Sequence, residues 1–366
     1  MSKHLQHPHS HRACRCYIIP PHILDHLAKH SDPQVRGAGI TSQFATHALR
    51  QKRTLLVEGF RPSRPTGGLR RTIYDAGQTP SPGHLVRSEG QAAVADITVN
   101  EAYDASGATY KFYKEVFSRN SVDDRGHQLD STVHYREDPA EPFDNAFWDG
   151  EQMIYGDGDG IIFGSFTKSL DVIAHELTHG VTQFSAGLEY HDQPGALNES
   201  MSDVFGSMAK QWTLKQTVSS ADWLIGAELL IAPHQALRSM KAPGTAYDNP
   251  DLGKDPQPDR MSKYLHLPNT RRGDNGGVHI NSGIPNRAFY LACVNLGAAH
   301  SWEKAGKIWY AVLTTRLSTT ASFVDAANAT VSVANELFGT TEAKAVRDAW
   351  QQVEVLPASP AVANVA

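Results

Sequence analysis

His175-Glu176-Leu177-Thr178-His179 sets two imidazoles four residues apart, with a carboxylate beside the first. On an α-helix, positions i and i+4 share one face, so both rings point at one spot and Glu176 sits at its rim. Two imidazoles so placed suit a zinc ion, and the carboxylate suits removal of a proton from a water at the metal. A hydrolytic zinc centre takes a third protein ligand and leaves one position open. Asn198-Glu199-Ser200-Met201-Ser202-Asp203, beyond a turn-rich loop from Gly187 to Gly195, offers Glu199 as that ligand. Asp203, one turn on, is placed to accept the free N–H of a ligand histidine and fix its tautomer. Two surface histidines on an amphipathic helix would share the first pattern, and an Asn-Glu pair commonly starts a helix. The two patterns in succession favour the metal.

These residues need helices to present them. From Asp171 to about Ser185, Val172, Ala174, Leu177, Val181 and Phe184 recur at helical spacing, and Leu197 to Gln211 reads as a second helix. Further helices are predicted around Ile284–Leu296, Glu303–Leu317, Phe323–Leu337 and Thr341–Val353. Between about 70 and 165 the patterns are short and strand-like: Arg71-Thr-Ile-Tyr, His84-Leu-Val-Arg, Thr132-Val-His-Tyr, Gln152-Met-Ile-Tyr and Ile161-Ile-Phe, separated by Gly and Asp turns. A β-rich half followed by a helical half is an α+β fold. Residues 1–65 hold one short amphipathic stretch, Pro21 to Ala28, and lead into a Pro- and Gly-rich linker from Arg61. The expected division is 1–65 as an N-terminal segment with linker, 66–190 as a β-rich lobe that includes the zinc helix, 191–357 as a helical lobe, and 358–366 as a tail.

The 366 residues carry 34 basic and 39 acidic side chains, a formal net charge of −5, which argues against nucleic acid as the main partner. Three cysteines, Cys14, Cys16 and Cys293, are too few for a disulfide framework. No apolar run approaches the roughly 18 residues that cross a bilayer, so no membrane is expected. The N-terminus lacks the apolar core of a secretory signal. Synthesis in the cytoplasm, with any release by a non-classical route, is the expectation.

From about Arg71 to Val355 the chain resembles the thermolysin family of zinc metallopeptidases, on motifs well beyond the histidine pair. Asn145-Ala146-Phe147-Trp148 and the following Tyr155-Gly-Asp-Gly-Asp-Gly160 look like that family's substrate-edge strand and turn. Asp274-Asn-Gly-Gly-Val-His279 is similar to its second catalytic segment, and Leu237-Arg238-Ser-Met to its P1′-contacting segment. The resemblance implies a thermolysin-like fold with the cleft between two lobes, and a neutral zinc endopeptidase in which Glu176 promotes attack of zinc-bound water. It implies that Glu176 is general base and then acid, and that Tyr190 and His279 donate to the oxyanion with Asp274 behind His279. Arg238, Asn145 and the backbone of Ala146 would hold the substrate as an added strand. Phe163, Phe166, Val172 and Leu237 match the S1′ wall, which implies cleavage before bulky hydrophobic residues.

Two departures stand out. Where thermolysin pairs calcium with carboxylates, this chain keeps Asp171 and Asp222 but has Lys210, Leu224 and Ala227 at matching positions. Calcium needs several oxygen ligands, so the Lys210 ammonium is expected to replace its charge, making calcium doubtful. Second, the short N-terminal region with Ile18-Ile19-Pro20-Pro21-His22-Ile23-Leu24 resembles the protealysin-like branch, whose short propeptide inhibits the enzyme. Ile23 or Leu24 would then plug the S1′ pocket behind Pro20 and Pro21. The tract His4, His7, His9, His11, Cys14 and Cys16 has metal-binding composition; a disordered His-rich tail is the leading reading, and Cys14 or Cys16 as a thiolate brake on zinc is the minor one. The expected partners of this monomer are peptide or protein substrates, its own propeptide and a protein inhibitor. A non-catalytic zinc-dependent peptide binder would not require Glu176, Tyr190 and His279, and a zinc hydrolase for other substrates would not require Asn145 and Arg238.

Overall fold

A computed structural model describes residues 16–56, 67–231, 233 and 236–358. The tract from His4 to Cys14, part of the linker, and Ser359–Ala366 lie outside the described residues. The first element is a two-residue strand, Cys16–Tyr17 (β1), followed by helices Pro21–Leu27 (α1) and Pro33–Leu56 (α2). Proline suits the first turn of α1, where its missing N–H costs no intrahelical bond. Asp32 opens α2 by accepting from the backbone N–H groups of Gln34 and Val35. The sequence pattern predicts only one short helical stretch here. α2 adds 24 residues, with Gly and Thr among them that blur its apolar period.

Strands Arg71–Asp75 (β2) and His84–Ser88 (β3) precede a long helix, Ile97–Phe117 (α3), and then come strands Leu129–Val133 (β4), Ala146–Trp148 (β5) and Met153–Tyr155 (β6). The six strands form one sheet in the order β1-β5-β6-β4-β2-β3, with β2–β4 and β4–β6 parallel and the other pairs antiparallel. Helix α3 corrects the all-strand expectation for 70–165. Asp96 caps it by accepting from Thr98 and Val99, and its buried stripe runs through Val99, Ala102, Tyr103, Ser106, Thr109, Phe112 and Tyr113. Small polar residues in that stripe weaken its hydrophobic signal. Ile161-Ile-Phe is likewise not a strand: Asp159 accepts from the N–H groups of all three residues and bends them into a loop, leaving one bridge from Phe163 to Leu230.

Leu170–Gln183 (α4) closes the first lobe, and Asp192–Leu214 (α5) opens the second, followed by the short pair Leu224–Ile225 (β7) and Arg238–Ser239 (β8). Helices Asp274–Asn281 (α6), Gly283–Leu296 (α7), Ala305–Thr315 (α8), Phe323–Phe338 (α9) and Thr340–Gln352 (α10) complete it. α5 starts five residues earlier than its apolar period, in Asp192-Gln193-Pro194-Gly195-Ala196, which carries no large apolar side chain. Every residue of α4 from Asp171 to Gln183 is buried, so the helix runs through the middle of the molecule. α5 lies directly against it because Gly206 has no side chain: a Cβ there would stand 2.5 Å from the Asp171 carbonyl and 3.2 Å from the His175 nitrogen. One continuous apolar core links both lobes and takes in Ile18, Ile19, Ile23, Leu24 and Leu27 of the N-terminal segment.

Candidate active site

The i, i+4 spacing on α4 brings the Nε2 atoms of His175 and His179 to 3.0 Å from each other. α5 presents Glu199, whose carboxylate oxygens lie 3.5 Å from both Nε2 atoms. The Nδ1–H of His175 donates to Asp203 at 2.8 Å, and that of His179 to Asn198 at 2.8 Å. Both acceptors are oxygens, so a neutral ring at either position carries its proton on Nδ1 and offers its Nε2 lone pair to a metal. Two lone pairs and a carboxylate converging in a buried place demand a cation. Glu199 Oε2 is buried without a protein hydrogen-bond partner, and the donor set fits zinc. His175, Glu176 and His179 also present ligand atoms within 4.8 Å of one another. Of the two carboxylates, Glu176 has Oε2 engaged by the Trp148 N–H at 3.1 Å, with Oε1 unpartnered.

Burial and neighbouring charges shift each of these groups. Burial opposes charge on His175, but Asp203 and Glu199 outweigh it and raise the ring to about 9. His179 drops to about 3, through burial and the adjacent His175. Burial would raise Glu199, yet His279, His179 and His175 hold it well below the usual range. Glu176 rises to about 8, mainly through burial, with Glu199 adding repulsion. Asp203 falls to about 2 against its burial because Arg238 and His175 flank it. The Arg238 guanidinium grips both oxygens of Asp203 at 2.8 Å, and Asn286 donates to Asp203 at 2.8 Å.

α6 brings a second group to the cleft. Its first turn is broken by left-handed residues, with Gly276 at φ 86° and Gly277 at φ 82°, a conformation glycine adopts without steric cost. Asp274 folds back to accept from the His279 backbone N–H at 2.7 Å and from its Nδ1 at 2.6 Å. The Tyr190 hydroxyl lies 3.2 Å from His279 Nε2 and also donates to Glu199. Burial opposes charge on His279, but Asp274 and Glu199 raise it.

The N-terminal segment lies in this cleft. β1 pairs antiparallel with β5, Tyr17 opposite Phe147 and Cys16 opposite Trp148. His279 Nε2 contacts the Tyr17 carbonyl at 2.9 Å, and Arg238 donates to the Ile18 carbonyl at 3.2 Å. The Ile18 and Ile19 N–H groups donate to the Ala146 carbonyl at 3.2 Å and to Asn145 Oδ1 at 3.1 Å. His22 and His26 on α1, with His30 just beyond it, form a face toward residues 247–251: they meet Tyr247, the Pro250 carbonyl and Asp251 at 2.7, 2.6 and 3.1 Å. Burial, with Arg238 and His279 nearby, lowers His22 to about 4.

Phe163, Phe166, Val172 and Leu237 are all fully buried in the common core. At the far end of α4, Lys210 reaches Asp171 at 3.3 Å, Asp222 at 3.4 Å and Glu228 at 2.8 Å. Sequence reasoning missed Glu228, the role of Asn198 under His179, Asn286 beside Asp203, and the Trp148 N–H on Glu176. The last is a backbone group with no residue signature. Asn198 was visible in the Asn-Glu pair, and its position one residue before Glu199 was the available signal.

This geometry defines a buried zinc centre beside a peptide-binding edge. A family model for the thermolysin metallopeptidase catalytic domain matches residues 63–183, and one for its alpha-helical domain matches 186–355. An extracellular metalloprotease of Pectobacterium carotovorum subsp. carotovorum is 50% identical over 349 residues, spanning 93% of this chain and 96% of the relative. Protease PrtS of Photorhabdus sp. (strain Az29) is 44% identical over 92% of this chain and 91% of its own length. The solved precursor of protealysin, a metalloproteinase from Serratia proteamaculans, superposes with a TM-score of 0.83 at 47% identity, over 93% of this chain and 100% of that one. The chain belongs to the thermolysin metallopeptidase family. It is a zinc metalloendopeptidase with the thermolysin-like α+β fold, made as a precursor.

Proposed function

We propose that His175, His179 and Glu199 hold the zinc ion and that Glu176 carries the proton in peptide hydrolysis. The observation behind this division of labour is that Glu199 approaches both Nε2 atoms while Glu176 leans on Trp148. When bound, zinc supplies Lewis acidity at the scissile carbonyl and the attacking water. Glu176 takes a proton from that water and passes it to the leaving amine, a task suited to a carboxyl raised by burial. Tyr190 and His279 donate to the oxyanion, and Asp274 fixes the His279 ring and supports its charge. Asp203 and Asn198 orient the ligand histidines. Arg238, Asn145 and the Ala146 backbone align the substrate as an added strand.

Phe163, Phe166, Val172 and Leu237 form the S1′ wall, giving cleavage before bulky hydrophobic residues. Residues 1–65 are the propeptide and linker, which inhibit in cis, with Pro20, Pro21, Ile23 and Leu24 seating α1 in the core. Residues 66–190 and 191–357 are the two catalytic lobes. Lys210 replaces calcium by pairing with Asp171, Asp222 and Glu228. The mature enzyme works as a monomer on proteins outside the cell, with a protein inhibitor as its regulator. Among the described residues no helix is long and apolar enough to cross a membrane. The test is casein hydrolysis by the processed wild type and Glu176→Gln, each with and without a zinc chelator. Hydrolysis only by chelator-free wild type supports the mechanism, and equal activity in both proteins defeats it.

A further inference from the structure

We propose that the N-terminal segment is bound as a substrate in productive register, and that the enzyme cuts its own Tyr17–Ile18 bond in cis. This rests on Glu176 acting as the proton carrier. Four consecutive backbone groups of the segment meet the cleft. The Tyr17 carbonyl faces His279, the Ile18 N–H donates to Ala146, the Ile18 carbonyl accepts from Arg238, and the Ile19 N–H donates to Asn145. These are the oxyanion donor and the three backbone clamps assigned above, met in order by one stretch of chain running in one direction. The peptide bond whose carbonyl meets the oxyanion donor is the bond between Tyr17 and Ile18.

The surroundings agree with that register. Cys16 pairs with Trp148, the residue whose N–H holds Glu176, so the chain enters over the base. Ile18 is wholly buried, as an apolar residue after the cut requires. Ile18 therefore fills the place of the residue after the scissile bond, and Ile23 and Leu24 serve to anchor α1. Tyr17 packs its ring on Phe147 with centroids 5.0 Å apart. In the reaction, water oxygen adds to the Tyr17 carbonyl carbon while Glu176 takes the water's proton. The C–N bond then breaks, that proton goes to the Ile18 nitrogen, and the water's second proton follows it there, leaving a Tyr17 carboxylate and an Ile18 ammonium. The shortened segment stays docked through its histidine face, so the cut need not release activity at once.

The experiment follows the zinc-loaded full-length precursor by intact mass and N-terminal sequencing at several dilutions. A new N-terminus at Ile18 should appear first, at a rate independent of protein concentration, and about a hundredfold or more slower in Glu176→Gln. In metal-free Glu176→Gln, the Ile18 and Ile19 amides should resist hydrogen exchange. New termini only in the linker, an Ile18 terminus forming in proportion to concentration, or rapid exchange at both amides would overturn the proposal. Casein hydrolysis by the processed enzyme separates the cases: if it persists without an Ile18 terminus, the register fails and the peptidase mechanism stands.

Discussion

The α4–α5 pair and the N-terminal segment meet at one cleft, both buried, yet they are held by opposite kinds of contact. Under the zinc centre, Asp203 is fixed by Arg238, His175 and Asn286, and each of these four side chains is at most 2% exposed. Nothing in that network can leave without stranding a buried charge. The segment instead docks through strand pairing, apolar burial and the contacts of His22, His26 and His30 with residues 247–251. Its groups are ones that water can satisfy once the segment is displaced. The catalytic pair is built to be permanent, and the segment to be lost.

The strongest way to break the contrast is at the base. Glu176→Gln should lower casein hydrolysis by about a thousandfold without unfolding the protein, since its neighbour Trp148 can still donate to the amide oxygen; steady-state rates and thermal melting read both parts. Next comes the support at the far end of α4. Lys210→Met should cost about 3 kcal/mol, because buried Asp171 loses its cation. Denaturant titration measures that loss, and calorimetry should then detect calcium binding that wild type lacks. A tight calcium site in wild type that vanished in Asp171→Ala would refute the replacement.

The segment should respond to acid where the core does not. Docking lowers His22 from its ordinary 6.5 to about 4, so the docked form prefers the neutral ring. Its contribution is complete above pH 6.5 and is lost as pH falls toward 4. Tyr247, Asp274, His279 and Arg238 face the ring: Asp274 favours the proton, while His279 and Arg238 oppose it. Between pH 7.5 and 5 docking should weaken about 30-fold, seen as faster Ile18 and Ile19 amide exchange after correction for intrinsic rates. His22→Gln should flatten that dependence. The smallest effect is expected from Asn198→Ala, which frees the His179 ring and should weaken zinc binding about tenfold by competition titration.

Much of the site was readable because helices and short motifs encode their own geometry. His175, His179 and Glu199 converge through the i, i+4 rule and the helix that follows. Helix α3 was not readable, since Ser106, Gly107 and Thr109 break its apolar stripe, and tertiary packing against the sheet stabilises it. Glu228 joins Lys210 through chain folding that spacing does not announce. The register of Tyr17–Ile19 depends on backbone atoms, which every sequence shares. Only pairing with β5 makes them distinct.

The central claim is that Glu199 binds the metal while Glu176 carries the proton. Zinc stoichiometry and affinity of Glu199→Gln and Glu176→Gln, compared with wild type, test it directly. Glu199→Gln is expected to lose its zinc, and Glu176→Gln to keep one ion per chain without hydrolysing casein. Retention of tight zinc by Glu199→Gln, with loss from Glu176→Gln, would contradict it.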